Sequence, residues 1–250
     1  MLLIIWLKKL ENLYKVSKVQ IMNLKRKIIQ KIKAIFGLNI LKQEAMFRLA
    51  LKEEGLDYRK FNISINHVDG LNIINGITLS IIYPKSFFNK AKILHSNSKK
   101  HKFYFNGNMS NDGGRKAMLA PFANFSDTKI VESDYGRSPF TKNKFNKIYY
   151  KELSFSEFGL CPHQKDFIGN SDTMWTYRFI ECCMVNTIPV IFNEAPLGKN
   201  FTSGFHFYTD DIFFKEDIQF DKQKAFENYE LALNKFTLNN ETIKKLKSFK

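Results

Sequence analysis

The fold is decided by one stretch of 36 residues, Glu157-Phe-Gly-Leu-Cys-Pro-His-Gln-Lys-Asp-Phe-Ile-Gly-Asn-Ser-Asp-Thr-Met-Trp-Thr-Tyr-Arg-Phe-Ile-Glu-Cys-Cys-Met-Val-Asn-Thr-Ile-Pro-Val-Ile-Phe192. A short apolar run from Phe158 to Cys161 stops at Pro162. A polar loop containing Gly169 follows. Ser171, Asp172 and Thr173 can cap a helix. The twelve residues after Thr173 carry no Gly or Pro and fill about three helical turns. Ile188-Pro-Val-Ile-Phe is short and β-branched, and Pro189 lies near its start, where a missing N–H is tolerated. The order strand, loop, helix, strand is a βαβ unit and predicts a parallel sheet.

The helix of this unit is apolar almost all round, so it should be buried. Arg178 and Glu181 sit inside it, three residues apart and therefore on one face. Buried charge is costly unless paired. Two readings stand side by side: an internal ion pair, or two groups aimed at a ligand.

Arg178-x-x-Glu181 followed by Ile188-Pro189-Val190 resembles the signature of exostosin-like glycosyltransferases and related bacterial surface-polysaccharide transferases. The segment from Tyr149-Tyr150 to Cys161-Pro162-His163 resembles the lead-in of the same family, and the likeness covers about residues 100–195. The resemblance implies a GT-B-like α/β fold, with Glu181 on the donor nucleotide's ribose and Arg178 on its diphosphate. It also implies a nucleotide-sugar donor, a glycan or lipid-linked acceptor, and no cofactor or bound metal. Asn186 stands where the family usually has Gly. Asn also reaches the left-handed conformation that ends helices, so the turn should survive.

The 250 residues can bury a full core and carry a net charge of +15. That charge is concentrated at the ends. Residues 1–36 hold nine Lys and Arg against Glu11 alone, among apolar residues at helical spacing. They read as a basic amphipathic helical segment, either attached to an anionic leaflet or packed on its own domain. No cleavage pattern follows the short apolar start, which argues against a signal peptide, and Met22 is a second candidate start. The three cysteines, Cys161, Cys182 and Cys183, form no metal spacing and read as core residues of a protein in a reducing compartment. A cytoplasmic location, peripheral on the inner face of the plasma membrane, follows as the expectation. A dispersed lysine excess without a motif does not indicate a nucleic-acid partner.

Residues 37–99 should be a reduced acceptor-side region, with a helix from Leu41 to Glu53 ended by Gly55 and strands at Phe61–Ile65 and Ile77–Tyr83. His67 and His95 read as surface residues. Residues 100–215 should form the nucleotide-sugar domain. Its first strand is Phe103 to Phe105, a helix from Arg115 to Asn124 should be kinked or ended by Pro121, and the next strand is Thr128 to Glu132. Ligands of such sheets sit beyond the carboxyl ends of the strands. That gathers the loop from Gly107 to Arg115, the loop from Asp134 to Arg137, and the loop from Pro162 to Thr173.

The expected donor-binding set is Arg178, Glu181, Thr173, His163 and Arg115. His163 is either a ligand contact or structural. Asp134 and Glu132 are the candidates for a general base, which the sequence leaves open. Asp210 and Asp211 are adjacent and would diverge in a strand, so no metal site is expected there. Residues 216–250 should close the chain with two helices. The rival reading from another class is a degenerate, non-catalytic Rossmann-like binding module at the membrane surface.

Overall fold

The computed structural model describes residues 41–109, 114–133, 144–164 and 172–249. Residues 1–36 and the loop residues Asp134, Arg137 and Gly169 lie outside the described residues. Residues 41–250 make one compact unit. Its elements are α1 (Lys42–Glu53), a meander of β1 (Ile63–Asn66), β2 (Leu71–Ile74) and β3 (Ile77–Ser80), and α2 (Lys85–Lys92). Then come β4 (His101–Gly107), α3 (Arg115–Leu119), β5 (Thr128–Glu132), α4 (Lys147–Ser154), β6 (Ser156–Leu160), α5 (Tyr177–Met184) and β7 (Ile188–Ile191). The chain ends with α6 (Lys199–Thr202), β8 (Tyr208–Thr209), α7 (Lys222–Lys235) and α8 (Asn240–Ser248).

The main sheet has five strands in the order β5-β4-β6-β7-β8, every neighbour parallel. This is a Rossmann-like α/β architecture. Chain order reverses between β4 and β6, so the loops leaving these two strands part and open a crevice. Both faces of the sheet are covered. Phe103, Phe105, Phe158, Leu160, Ile188 and Val190 pack with Met118, Leu119 and Phe122 on one side. Tyr104 and Cys161 pack with α4 and α5 on the other, through residues such as Tyr150, Phe179 and Cys182. Burial on both faces explains the continuous apolar run of β7.

The βαβ unit read from residues 157–192 is present, with β6 and β7 paired from Phe158 against Ile188 to Leu160 against Val190. Asn186 adopts φ +59°, and the Val185 and Thr187 amides both donate to the Cys182 carbonyl. The helix therefore ends as the left-handed Asn predicts. Its start differs from the expectation. α5 begins at Tyr177, after Thr176, and not behind Thr173. Pro121 acts as expected: α3 stops at Leu119 and a 3₁₀ turn covers Ala120–Asn124.

Lys99 closes the opposite end of the unit. Its ammonium donates to the carbonyls of Ser154 (3.1 Å) and Asn186 (2.7 Å), the chain ends of α4 and α5. Cations at helix C-termini offset the exposed carbonyl dipoles.

The region before the main sheet holds a feature the sequence reading missed. Residues 61–83 form three antiparallel strands, with β2 turning into β3 through Asn75 (φ +46°) and Gly76 (φ +80°). Asn-Gly is a strong signal for a tight hairpin turn, and it was available. No second parallel Rossmann sheet occurs among the described residues. The meander packs with α1 and α8 around Phe47, Leu51, Ile74 and Leu246. The two closing helices appear where expected.

Candidate functional site

A cleft of about 220 Å³ opens at the sheet's reversal point, lined by His67, Arg115, His163, Gln164, Trp175, Thr176 and Tyr177. Four pieces of chain build it. β6 delivers His163 and Gln164 just past its carboxyl end. The loop leaving β4 delivers Arg115 at the start of α3. The start of α5 supplies Thr176 and Tyr177, and the meander supplies His67.

Thr176 is the residue preceding α5, extended at φ −145°, and its side chain makes no capping hydrogen bond. The first turn of α5 thus begins at the cleft lining without a cap from Thr176, and the free amides of a helix start favour anions. Arg115 is anchored by its own loop, donating from Nη1 to the Asn108 carbonyl at 3.3 Å. Gly114, before it, takes φ +96°, a conformation that favours glycine.

His163 is buried, with 7% of its surface exposed. Its Nδ1 lies 3.0 Å from the Gln164 carbonyl, which can only accept, so Nδ1 carries a proton. Burial holds its pKa below the ordinary imidazole value, helped by the Arg115 cation, while the Gln164 and Trp175 carbonyls pull the other way. Burial likewise lowers His67. Gln43 uses its amide nitrogen on Leu71 O and Asn72 Oδ1. Its oxygen therefore accepts from His67 Nδ1 at 3.1 Å.

The aromatic wall is fixed by packing. The Trp175 ring stands edge-on to Tyr177 at 4.6 Å and to His67 at 5.5 Å. Trp175 Nε1 donates to the His67 carbonyl at 3.1 Å. Gly70 makes room for it: a Cβ there would lie 2.8 Å from the indole ring.

Arg178 does not line this cleft; its guanidinium lies at the carboxyl end of β4. It is half-buried, donates from Nη2 to the Asn106 carbonyl at 2.6 Å, and stacks over Phe105 at 4.2 Å. Its Nε is buried and has no hydrogen-bond partner among the described residues. Gly107 permits this position, since a Cβ there would lie 2.4 Å from Arg178 Nη2.

Glu181 points elsewhere. It is 2% exposed, accepting from Lys42 Nζ at 2.8 Å and from the Tyr149 hydroxyl at 2.9 Å. Lys42 also lies 4.4 Å over the Tyr177 ring. Arg178 and Glu181 are therefore not an ion pair with each other. Each has found its own partners on a different element, so the simple internal-pair reading of the sequence does not hold.

Thr173 lies outside the helix, four residues before Tyr177, and donates to Asp69 Oδ1 at 2.7 Å. It faces a separate small cavity with Asp69 and Lys235. The expected role of its helix end passes to Thr176. Glu132 is exposed at the end of edge strand β5 and does not line the cleft. Asp134 is outside the described residues.

Asp210 and Asp211 do not diverge, because they lie in a 3₁₀ turn rather than a strand. Both converge on Asn193, accepting from its backbone and side-chain nitrogens at 2.9 Å each. Asp211 also accepts from Thr209 and Lys215, and these bonds hold its carboxyl well below the usual range. They act as a loop clamp. No group of three His, Cys, Asp or Glu side chains converges on a point among the described residues.

The cysteines are free and buried, with the Cys161 and Cys182 sulfurs 3.8 Å apart. No helix among the described residues is long and apolar enough to cross a membrane.

The sequence reading missed His67, Trp175, Tyr177 and Lys42 as site residues. His67 and Lys42 carry no local motif and arrive only through packing of the meander and α1. Trp175 and Tyr177 were visible as apolar helix residues, but only the later helix start turns them toward the cleft. Sequence comparison finds no family model that matches this chain and no match among curated proteins.

Proposed function

We propose that the chain is a glycosyltransferase that moves a sugar from a nucleotide-diphosphate donor to a glycan or lipid-linked acceptor, in the manner of the exostosin-like family it resembles. One observation carries the reading. Arg115 and the start of α5 line one crevice at the sheet's reversal point, where parallel sheets bind phosphorylated ligands, and Arg178 follows the cleft-lining Tyr177 in α5. Together they offset diphosphate charge without a metal. The cleft is smaller than the ~300–1,000 Å³ of whole small-molecule sites, so it suits the diphosphate portion, with the aromatic wall of Trp175, Tyr177 and His67 beside it. In this reading Glu181 acts through Lys42 and Tyr149, fixing the helix that carries Arg178. Its two oxygens are already occupied, which sets it apart from the direct ribose contact the resemblance implies.

The test is a thermal-shift screen of nucleotide sugars, followed by calorimetry on the best hit. Losing a charged hydrogen-bond partner costs about 1.5–3 kcal/mol, so Arg178→Ala and Arg115→Ala should each weaken binding by roughly tenfold or more. Transfer should persist after exhaustive chelation. Unchanged affinity in both folded variants refutes the site. Activity lost to chelator and restored by Mn²⁺ refutes the metal-free mechanism.

A second reading, a non-catalytic binding module at a membrane surface, is favoured by the enclosed Glu181 carboxylate. It gives donor binding without turnover.

A further inference from the structure

A larger groove, about 650 Å³, lies on another part of the molecule, where α1, α2 and the start of α4 meet. Its floor is apolar, formed by Leu49, Phe87, Leu94 and Phe145. Ring contacts pack the floor: Phe145 stacks flat on Tyr150 at 4.3 Å and meets Phe87 edge-on at 5.7 Å. Ile93, at the rim, is 77% exposed. An isoleucine left so open beside an apolar floor extends the floor outward.

The rim is cationic. Lys90, Lys144 and Lys147 all line the groove and are exposed. None of the three ammonium groups has an ion-pair or hydrogen-bond partner among the described residues. Glu53 is the one acidic residue in the lining, and it is engaged. Its Oε2 accepts from the Ser86 amide at 3.1 Å, and Oε1 accepts from the Ser86 hydroxyl. It caps the start of α2 and makes no ion pair with the three lysines among the described residues, so the rim keeps a net positive charge.

An apolar trough rimmed by three unpaired cations is complementary to a ligand with one hydrocarbon chain and one anionic end. Apolar surface alone would favour any hydrophobe. The lysines select the charged end and repel a second basic segment. We propose that this groove binds a single-chain anionic amphiphile, with the chain along Phe87, Leu94 and Phe145 and the phosphate or carboxylate head on Lys90, Lys144 and Lys147. The site is independent of the nucleotide-sugar cleft and stands or falls separately.

The test is calorimetry of the full chain with dodecyl phosphate below its micelle-forming concentration. Inorganic phosphate and an uncharged dodecyl ether serve as head-only and chain-only probes. One-to-one binding of dodecyl phosphate is expected, at least tenfold tighter than either partial probe. The double variant Lys90→Glu with Lys147→Glu should weaken it at least tenfold, and Ile93→Asp should weaken it severalfold while leaving the cations in place. All three positions are exposed, so thermal midpoints should match the wild type. Wild-type affinity in both variants overturns the proposal, because it places the amphiphile elsewhere on the chain. Equal affinity for the uncharged ether also overturns it, because the lysines then select nothing.

Discussion

Gly159→Ala tests the packing that holds the βαβ unit together. Gly159 lies in β6, between Tyr104 of β4 and Pro189 of β7. A Cβ at this position would sit 2.2 Å from Cys182 Sγ, against about 3.5–4.0 Å for comfortable contact. Neither side can yield cheaply. The strand is held by neighbours on both edges, and Cys182 is fully buried in α5 against Cys161. Overpacking of this kind costs about 1–3 kcal/mol, and the depth of the overlap points to the upper end. The variant's lower unfolded-state entropy returns only about 0.4–1 kcal/mol. With Cys182→Ala the sulfur is gone. The nearest remaining atoms are then Thr187 Cγ2 at 3.4 Å and the Cys182 Cβ position at 3.5 Å, which is close to ordinary contact. Cys182→Ala alone should cost about 1 kcal/mol for the lost packing. The double variant should cost little more, giving a coupling of about 2 kcal/mol in the stabilising direction. Urea unfolding of the four proteins measures it. Gly159→Ala within ~0.5 kcal/mol of wild type, or strict additivity beyond the ~0.3–0.5 kcal/mol scatter of independent sites, refutes the packing argument.

Other outcomes follow from buried charge. Lys42→Met leaves the Glu181 carboxylate enclosed with only Tyr149 as partner. Breaking a buried pair costs about 3–5 kcal/mol, so urea stability should fall by about 3 kcal/mol, and adding Glu181→Gln should recover part of it. No recovery would mean that Lys42 acts through packing alone. Stability should also rise with pH from 5 to 8. His67, His95 and His163 are each held below the usual imidazole value, mainly by burial. The unfolded chain takes up these protons near pH 6.5 and the folded one resists, so stability is full above about 6.5 and falls below it. Burial pulls Lys99 down from 10.5 to about 7, so the unfolded chain holds the extra proton above pH 7 and stability climbs further there. Lys99→Met should abolish the rise above pH 7 and keep the lower one. A thermal midpoint independent of pH over this range contradicts both assignments.

The strand–helix–strand order of residues 157–192 was legible because its signals are local. Pro162 stops a strand, an unbroken apolar run makes a helix, and β-branched residues with a tolerated proline make the next strand. The parallel sheet followed from that order, since a helix between two short strands leaves them pointing the same way. The end of α3 ahead of Pro121 and the left-handed Asn186 were equally local, each set by the backbone chemistry of one residue. The Asn75-Gly76 turn was as plain in the sequence, and missing it hid the middle strand of the meander.

Sequence spacing put Arg178 and Glu181 on one helix face, but spacing cannot say what that face meets. Tertiary packing decided it. Phe105 and the Asn106 carbonyl at the end of β4 capture the guanidinium, while Lys42 and Tyr149, 139 and 32 residues from Glu181 in sequence, capture the carboxylate. A lysine in α1 carries no local mark of that partnership, because the contact depends on how α1 packs against α5. His67 reached the cleft in the same way, through the meander. Asp210 and Asp211 were read as diverging because a strand alternates its side chains. A tighter 3₁₀ turn brought both to Asn193, and that choice between extended and turned backbone is settled by bonds to a loop seventeen residues away. Local chemistry in the sequence thus set the elements and their order. The assembly of distant elements set which charges are spent inside the fold and which remain for a ligand, because burying a charge is tolerable only where another element supplies its partner.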